Sequence, residues 1–326
     1  MASTTEPVPA VHEPNRRLPG RLRQLRWSTW RGVLVRSVTN FVTDNCADWA
    51  AALTYYGVLA LFPSVIVIVA LVGLVSNGAE TIDTIAGLAR EAGAGSVVAN
   101  DALVGVLRDV VDNQGSAKVL LGFGVLAALW SASGYVGAFT RASNAIYGVA
   151  EGRPFYLLRP LQLGLTAIAL VLLAVVATGL IVSGPVADAV GDRLGLGDAP
   201  RTAWSVAKWP VLVGIMMLLL SLLFWIAPNV RQPRFRWLTV GGAVALVSWA
   251  VVSVGFGFYV SRFNSYDATT YGSLGAVIAF LVWLYLSNCA VMLGVEINAE
   301  VQRGRARQGG AEEPVQPALP PKTPAS

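Results

Sequence analysis

The residue types present limit the chemistry open to this chain. It has one histidine, His12, and two cysteines, Cys46 and Cys289. His12 stands in a Pro-rich polar stretch. No His, Cys, Asp or Glu cluster has the spacing of a metal site, and no Gly-rich loop has the form of a phosphate cradle. Paired carboxylates occur only in polar connecting segments, so a nucleophile with its base and acid cannot be assembled from this inventory. The reading is no enzyme, no cofactor and no metal, with a membrane ribonuclease kept as the remote alternative. What remains are polar residues set within, or at the ends of, long apolar stretches.

The first such stretch runs from Asp48 to Ser76, DWAAALTYYGVLALFPSVIVIVALVGLVS, and carries no Asp, Glu, Lys or Arg after Asp48. It is longer than the ~20 residues that cross a bilayer core as a helix. Pro63 lies near its middle, where it removes a backbone donor and crowds the preceding turn. The freed carbonyl must then face protein or a wet cavity. Tyr55, Tyr56 and Pro63 are therefore candidate substrate-contacting or helix-breaking positions; the competing reading of Pro63 is a packed kink. Asn288, in LVWLYLSNCAVML, is an amide that needs partners in hydrocarbon. An interhelical hydrogen bond and a ligand contact both satisfy it.

A second group gathers where apolar stretches end: Asp48, Arg141, Asn144, Arg159, Asn229 and Glu296, with Asp44, Arg153, Asn298 and Glu300 beside them. If these ends share one membrane depth, acids and arginines there should pair, Arg141 with Glu296 among them. Two readings stand: an ion-pair belt that locks helix ends, or a vestibule in which the planar guanidinium of Arg141 or Arg159 receives an anionic headgroup.

The elements that must position these residues follow from composition. The chain has 326 residues, 55% hydrophobic and only 13% charged, with a mean hydropathy of +0.59; soluble domains carry about 25% charged residues. The fold class expected is all-α: a polytopic transmembrane helical bundle. Six spans are predicted, over about 49–76, 119–140, 161–184, 206–227, 237–260 and 271–295, forming one membrane domain over 30–305. Residues 77–117 are too polar to cross and read as two short amphipathic helices, an outer cap. Residues 264–272 read as a short outer loop. Residues 1–29 and 306–326, rich in Pro, Arg and polar residues, read as disordered tails. No apolar leader or cleavage site stands near Met1, so no signal peptide is expected. Leu34, Val38 and Phe41, at i, i+4 and i+7, give a basic N-terminal helix one apolar face suited to an anionic leaflet. A nucleic-acid partner is not expected for these arginines beside a membrane span.

Basic residues set the orientation. With both termini inside, the inner segments hold 17 of the 24 Lys and Arg residues and the outer segments seven. Cytoplasmic termini follow from the positive-inside rule, and the location expected is a bacterial cytoplasmic (inner) membrane.

Four stretches together resemble the YihY/BrkB family of bacterial inner-membrane proteins: AAALTYYGVLALFP (50–63), SGYVGAFTRASNAIYGVAEGRPF (133–155), APNVRQPRFRW (227–237) with GGAVALVSWAVVSVGFGFYV (241–260), and YGSLGAVIAFLVWLYLSNCAVMLGVEINAE (271–300). The likeness covers about residues 30–305. It implies six spans and, for some members, export or flipping of lipid or lipopolysaccharide precursors. The family once carried the label ribonuclease BN, which these residues do not support. The function expected is movement, or assisted export, of an amphipathic lipid-like substrate. The alternative is a non-transporting scaffold for an envelope complex. The partners expected are membrane lipids, with further copies of the chain or envelope proteins beside them.

Overall fold

A computed structural model describes residues 25–73, 117–181, 199–232, 235, 239–270, 273–311, 315 and 317–324. The described residues form seven helices: α1 (Trp27–Thr43), α2 (Cys46–Gly73), α3 (Ala117–Tyr147), α4 (Phe155–Ile181), α5 (Ala199–Ile226), α6 (Val240–Thr270) and α7 (Ser273–Gln308). Four of them hold segments long and apolar enough to cross a membrane: Phe155–Ala177, Val206–Ile226, Val240–Arg262 and Val277–Gln308. The predicted outer cap lies outside the described residues.

Length and apolarity make these helices. Each must satisfy its own backbone where no water reaches, which only a helix or a closed barrel achieves. Proline does not stop them: α2 is continuous through Pro63, α4 through Pro160 and α5 through Pro210. Nor does α6 end where the outer loop was expected. No Gly or Pro occurs from Phe258 to Tyr271, so nothing breaks the helix before Thr270.

Side-chain contacts give the directions. Val67 packs with Ala128 and Leu170, while Tyr56 meets Gly134 and Gly137 meets Gln162. Successive helices α2, α3 and α4 are therefore antiparallel. Phe139 of α3 stacks on Phe224 of α5, with centroids 5.9 Å apart. Gly241 of α6 meets Gly294 of α7, and Ser253 accepts a hydrogen bond from Trp283 Nε1 at 3.1 Å, so α6 and α7 form an antiparallel pair. At the first of these contacts a Cβ on Gly241 would collide with the Gly294 carbonyl; only glycine lets the backbones approach so closely.

The main core lies toward the end that carries the α3–α4 turn, around Leu53, Phe139, Ile146, Phe224, Met292 and Val295. Elsewhere large apolar side chains point outward: Val251 is 67% and Val254 75% exposed. In water such a surface would aggregate; in lipid it is solvated.

α1 lies against α7 through Val33, Ile297 and Val301. Its second face, with Leu34, Val35 and Val38, stays exposed, so the helix carries two apolar faces rather than one. Phe41 belongs to the packed side. Two tail boundaries also differ from expectation. α7 continues to Gln308, and residues 317–324 are packed on the α3–α4 turn rather than disordered. Ala318 N donates to Tyr147 O at 3.0 Å, Lys322 N to Asn229 O at 3.0 Å, and Arg231 N to Pro320 O at 2.8 Å. The cause lies after α5. Pro228 stops that helix and leaves an extended backbone whose hydrogen-bonding groups need partners, which the tail supplies.

Candidate functional site

Polar residues at the basic end of the bundle separate into two networks. The first is centred on Arg303. Its guanidinium lies 2.9 Å from Glu300 Oε1 and 3.2 Å from Glu296 Oε1, and it also donates to the Ile146 carbonyl. Both carboxylates are fully buried. Glu300 further accepts from Asn40 Nδ2 at 3.1 Å and Arg307 Nη1 at 3.0 Å, with Arg36 Nε at 3.7 Å. The spacing 296, 300, 303, 307 puts all four charged residues on one side of α7. Burial, reinforced by Glu300 and opposed by Arg303, pushes the nearby Asp44 carboxyl above its ordinary range.

The second network is centred on Asn229, which is fully buried. Its backbone N donates to Asn144 Oδ1 at 2.7 Å; its Nδ2 donates to Ala150 O at 3.0 Å and Thr323 O at 2.8 Å; its Oδ1 accepts from Thr323 N at 3.1 Å. Asn144 Nδ2 donates to Glu151 at 2.9 Å, and Glu151 receives two side-chain hydrogen bonds of 2.7 Å from Arg153. Arg153 also donates to Ala227 O at 2.7 Å. Burial alone would raise the Glu151 carboxyl, but the Arg153 hydrogen bonds and charge, helped by Asn144, hold it below its ordinary value. Lys322 Nζ lies 3.2–3.4 Å from the carbonyls of Trp225, Ile226 and Pro228 at the end of α5, the place where a helix favours a cation. Burial, with Arg153 nearby, lowers its ammonium below the ordinary value.

The predicted belt is thus partly assembled. Asn144 and Asn229 meet directly. Glu296 pairs with Arg303, not with Arg141, because α7 and not α3 supplies the facing guanidinium. Asp48 is exposed and outside both networks. Arg141 lies over the Tyr56 ring at 5.7 Å, and Arg159 over the Trp130 ring at 4.0 Å.

Deeper in the bundle, Asn288 has the interhelical partners an amide needs. Its Nδ2 donates to Thr54 Oγ1 at 3.1 Å and its Oδ1 accepts from Tyr135 OH at 2.8 Å, joining α7, α2 and α3. Tyr56 wedges against Gly134, while Tyr55 is 62% exposed and meets Tyr56 edge-on. Beside Pro63, Ala60 and Ser64 line a cavity of about 170 Å³ that also touches Ala132, Tyr135, Leu165 and Leu223. It lies between α2, α3, α4 and α5, and no charged side chain lines it. Among the described residues, no group of three or more His, Cys, Asp and Glu could hold a metal ion.

Several working residues escaped the sequence reading. Arg303 and Lys322 entered it only as charges that orient the chain, and Gln162 and Tyr135 did not enter. The i, i+4, i+7, i+11 run from Glu296 to Arg307 was a signal open to notice. The pairing of Asn40 with Glu300 was not, because it depends on how α1 lies along α7.

The sequence profile of the family described as virulence factor BrkB matches residues 37–318. YfkH of Bacillus subtilis (strain 168), which is named a ribonuclease-like protein, is 34% identical over 251 residues, 77% of this chain and 88% of YfkH. UPF0761 membrane proteins of Rhodospirillum centenum and Nitrosospira multiformis are 32% and 27% identical, over 89% and 85% of this chain. The chain spans 61% of the length of each. No solved structure matches. With the family profile covering α2 through α7, the chain belongs to the virulence factor BrkB family of membrane proteins.

Proposed function

We propose that this protein moves, or helps to export, an amphipathic lipid-like substrate across a bacterial cytoplasmic membrane. In this reading α2 to α7 are six spans and both termini are cytoplasmic. The observation that carries it is the uncharged cavity of about 170 Å³ among α2, α3, α4 and α5. A pocket for a whole small ligand spans about 300–1,000 Å³, so this one suits a length of acyl chain rather than a complete solute. Transport of small ions would call for ionisable groups along the spans; among the described residues the buried charged side chains, Arg153, Glu296, Glu300 and Arg303, lie at one end of the bundle.

Reconstitution of purified protein in liposomes carrying fluorescent phospholipid or glycolipid tests this. Transbilayer movement should exceed that in protein-free vesicles. Ala132→Phe, which fills the cavity, should slow it. No movement of any lipid tried would refute transport, and unchanged cellular function of the filled variant would favour the scaffold reading.

A further inference from the structure

α3 presents Trp130, Gly134, Gly137 and Arg141 at i, i+4, i+7 and i+11, which is one face of a helix. Tyr56 of α2 lies against Gly134, and Gln162 of α4 lies 3.5 Å from the position a Cβ on Gly137 would occupy. The two glycines therefore let Tyr56 and Gln162 pack directly on the α3 backbone, and two guanidiniums lie along this seam. Arg141 lies over the Tyr56 ring at 5.7 Å. Arg159 donates through Nη1 to Gln162 Oε1 at 3.2 Å and rests on the Trp130 ring at 4.0 Å.

The direction of Arg159 matters. Its backbone is within two turns of the α3–α4 turn, where an arginine can reach polar surroundings. Its guanidinium instead points away from that turn, along α4 to Gln162 and on to Trp130. Its Nε is buried with no hydrogen-bond acceptor. Neither Arg141 nor Arg159 has a carboxylate partner among the described residues. The three glutamates of this end pair with other arginines: Glu151 with Arg153, Glu296 with Arg303, and Glu300 with Arg303 and Arg307. Two aromatic faces and one amide leave most of the ten guanidinium N–H donors of the pair without an acceptor. In a membrane, such charges face a partner of opposite sign.

We infer that the α2–α3–α4 seam bearing these arginines is a binding site for the phosphate of an anionic lipid, with Arg159 as the deep donor and the exposed Arg141 toward the end of α3. Guanidinium forks match phosphate oxygens in geometry as well as charge. The apolar surroundings select a lipid over free phosphate. Trp130 is 52% and Leu126 64% exposed on the same helix, and Leu165 of α4, three residues from Gln162, lines the acyl-sized cavity. This inference rests on the lipid-handling reading above and specifies its substrate class as phosphate-bearing lipids.

The test is lipid retention by the full-length chain purified in neutral detergent, with dioleoyl phosphatidylglycerol, dioleoyl phosphatidylcholine and inorganic phosphate as probes. Native mass spectrometry should find phosphatidylglycerol retained over phosphatidylcholine. Arg159→Gln and Arg141→Gln should each weaken retention about tenfold, the scale of losing charge-assisted hydrogen bonds, with Arg159→Lys intermediate. Arg141 is exposed, so its variant tests the site without threatening the fold. Equal retention of both lipids, or undiminished retention by Arg141→Gln and a folded Arg159→Gln, overturns the site. Equal thermal stabilisation by inorganic phosphate at matched concentration overturns the lipid assignment. Retention without transbilayer movement would sustain the site while refuting transport; wild-type movement by a folded Arg159→Gln would do the reverse.

Discussion

At the residue scale, the two arginine environments make opposite predictions. Arg303 neutralises two fully buried carboxylates. Removing it strips Glu296 of its guanidinium, while Glu300 keeps Arg307; breaking a buried pair costs about 3–5 kcal/mol. Arg303→Ala should therefore lower the melting temperature in detergent markedly, and Arg303→Ala with Glu296→Gln should recover part of the loss. Arg141→Ala should leave the melting temperature near wild type, since Arg141 is exposed and pairs with no acid among the described residues; a large fall would place it in the stabilising network after all. Glu151 adds a pH dependence. Its folded carboxyl titrates below its ordinary value of 4.5, so the folded state binds that proton less readily than the unfolded state. The stabilisation is complete above the unfolded value and is lost as pH falls through the lower, folded one. Thermal melts from pH 7 to pH 3 should show this acid loss, and Glu151→Gln should reduce it.

At the element scale, the docked segment 317–324 is a separable part. A Cβ at Gly152 would collide with the Thr323 and Pro324 carbonyls, so Gly152→Ala should lift the segment while leaving the helix core in place. Hydrogen exchange at the amides of Ala318 and Lys322, which donate to Tyr147 O and Asn229 O, should then accelerate. Unchanged protection would mean the segment tolerates the methyl group and is held chiefly from the Asn229 side. Lys322 gives the same contact a pH signature. Its docked ammonium titrates below its ordinary 10.5, so the released state binds the proton more readily. Docking should tighten as pH rises through the interval between the two values. Lengths of apolar sequence made the long helices legible, because hydrocarbon leaves the backbone few alternatives to a helix. The ends were not legible. Whether residues 264–270 turn or continue, and whether 317–324 dangle or dock, depends on which neighbour satisfies the backbone there. Asn288 was readable as an amide needing partners; that Thr54 and Tyr135 are those partners is a matter of packing between distant helices.

At the scale of the whole molecule, the direction of the helices bears on topology. Contacts make α2, α3 and α4 alternate and α6 and α7 antiparallel, while α3 and α5 run alike, as Phe139 on Phe224 and the parallel reach of Arg153 to Ala227 require. The α3–α4 turn, the end of α5, the start of α6 and the far end of α7 therefore meet at one end of the bundle. That end gathers Arg153, Arg231, Arg303, Arg305 and Arg307, and the orientation proposed above would put it in the cytoplasm, as the positive-inside rule expects. Reporter fusions after Glu151 and Gln232 should then behave as cytoplasmic, and fusions after Asp112, Asp198 and Asp267 as exported. The Asn229 network sharpens the expectation: Glu151 and Thr323 both bond within it, so the α3–α4 turn and the C-terminal segment cannot lie on opposite sides. A cysteine introduced at exposed Ala145 and one at exposed Arg231 should be labelled from the cytoplasm alone by an impermeant thiol reagent, at equal rates in inside-out vesicles. Labelling of either from the outside of intact cells would break the alternation, and with it the six-span reading, whatever the spans carry.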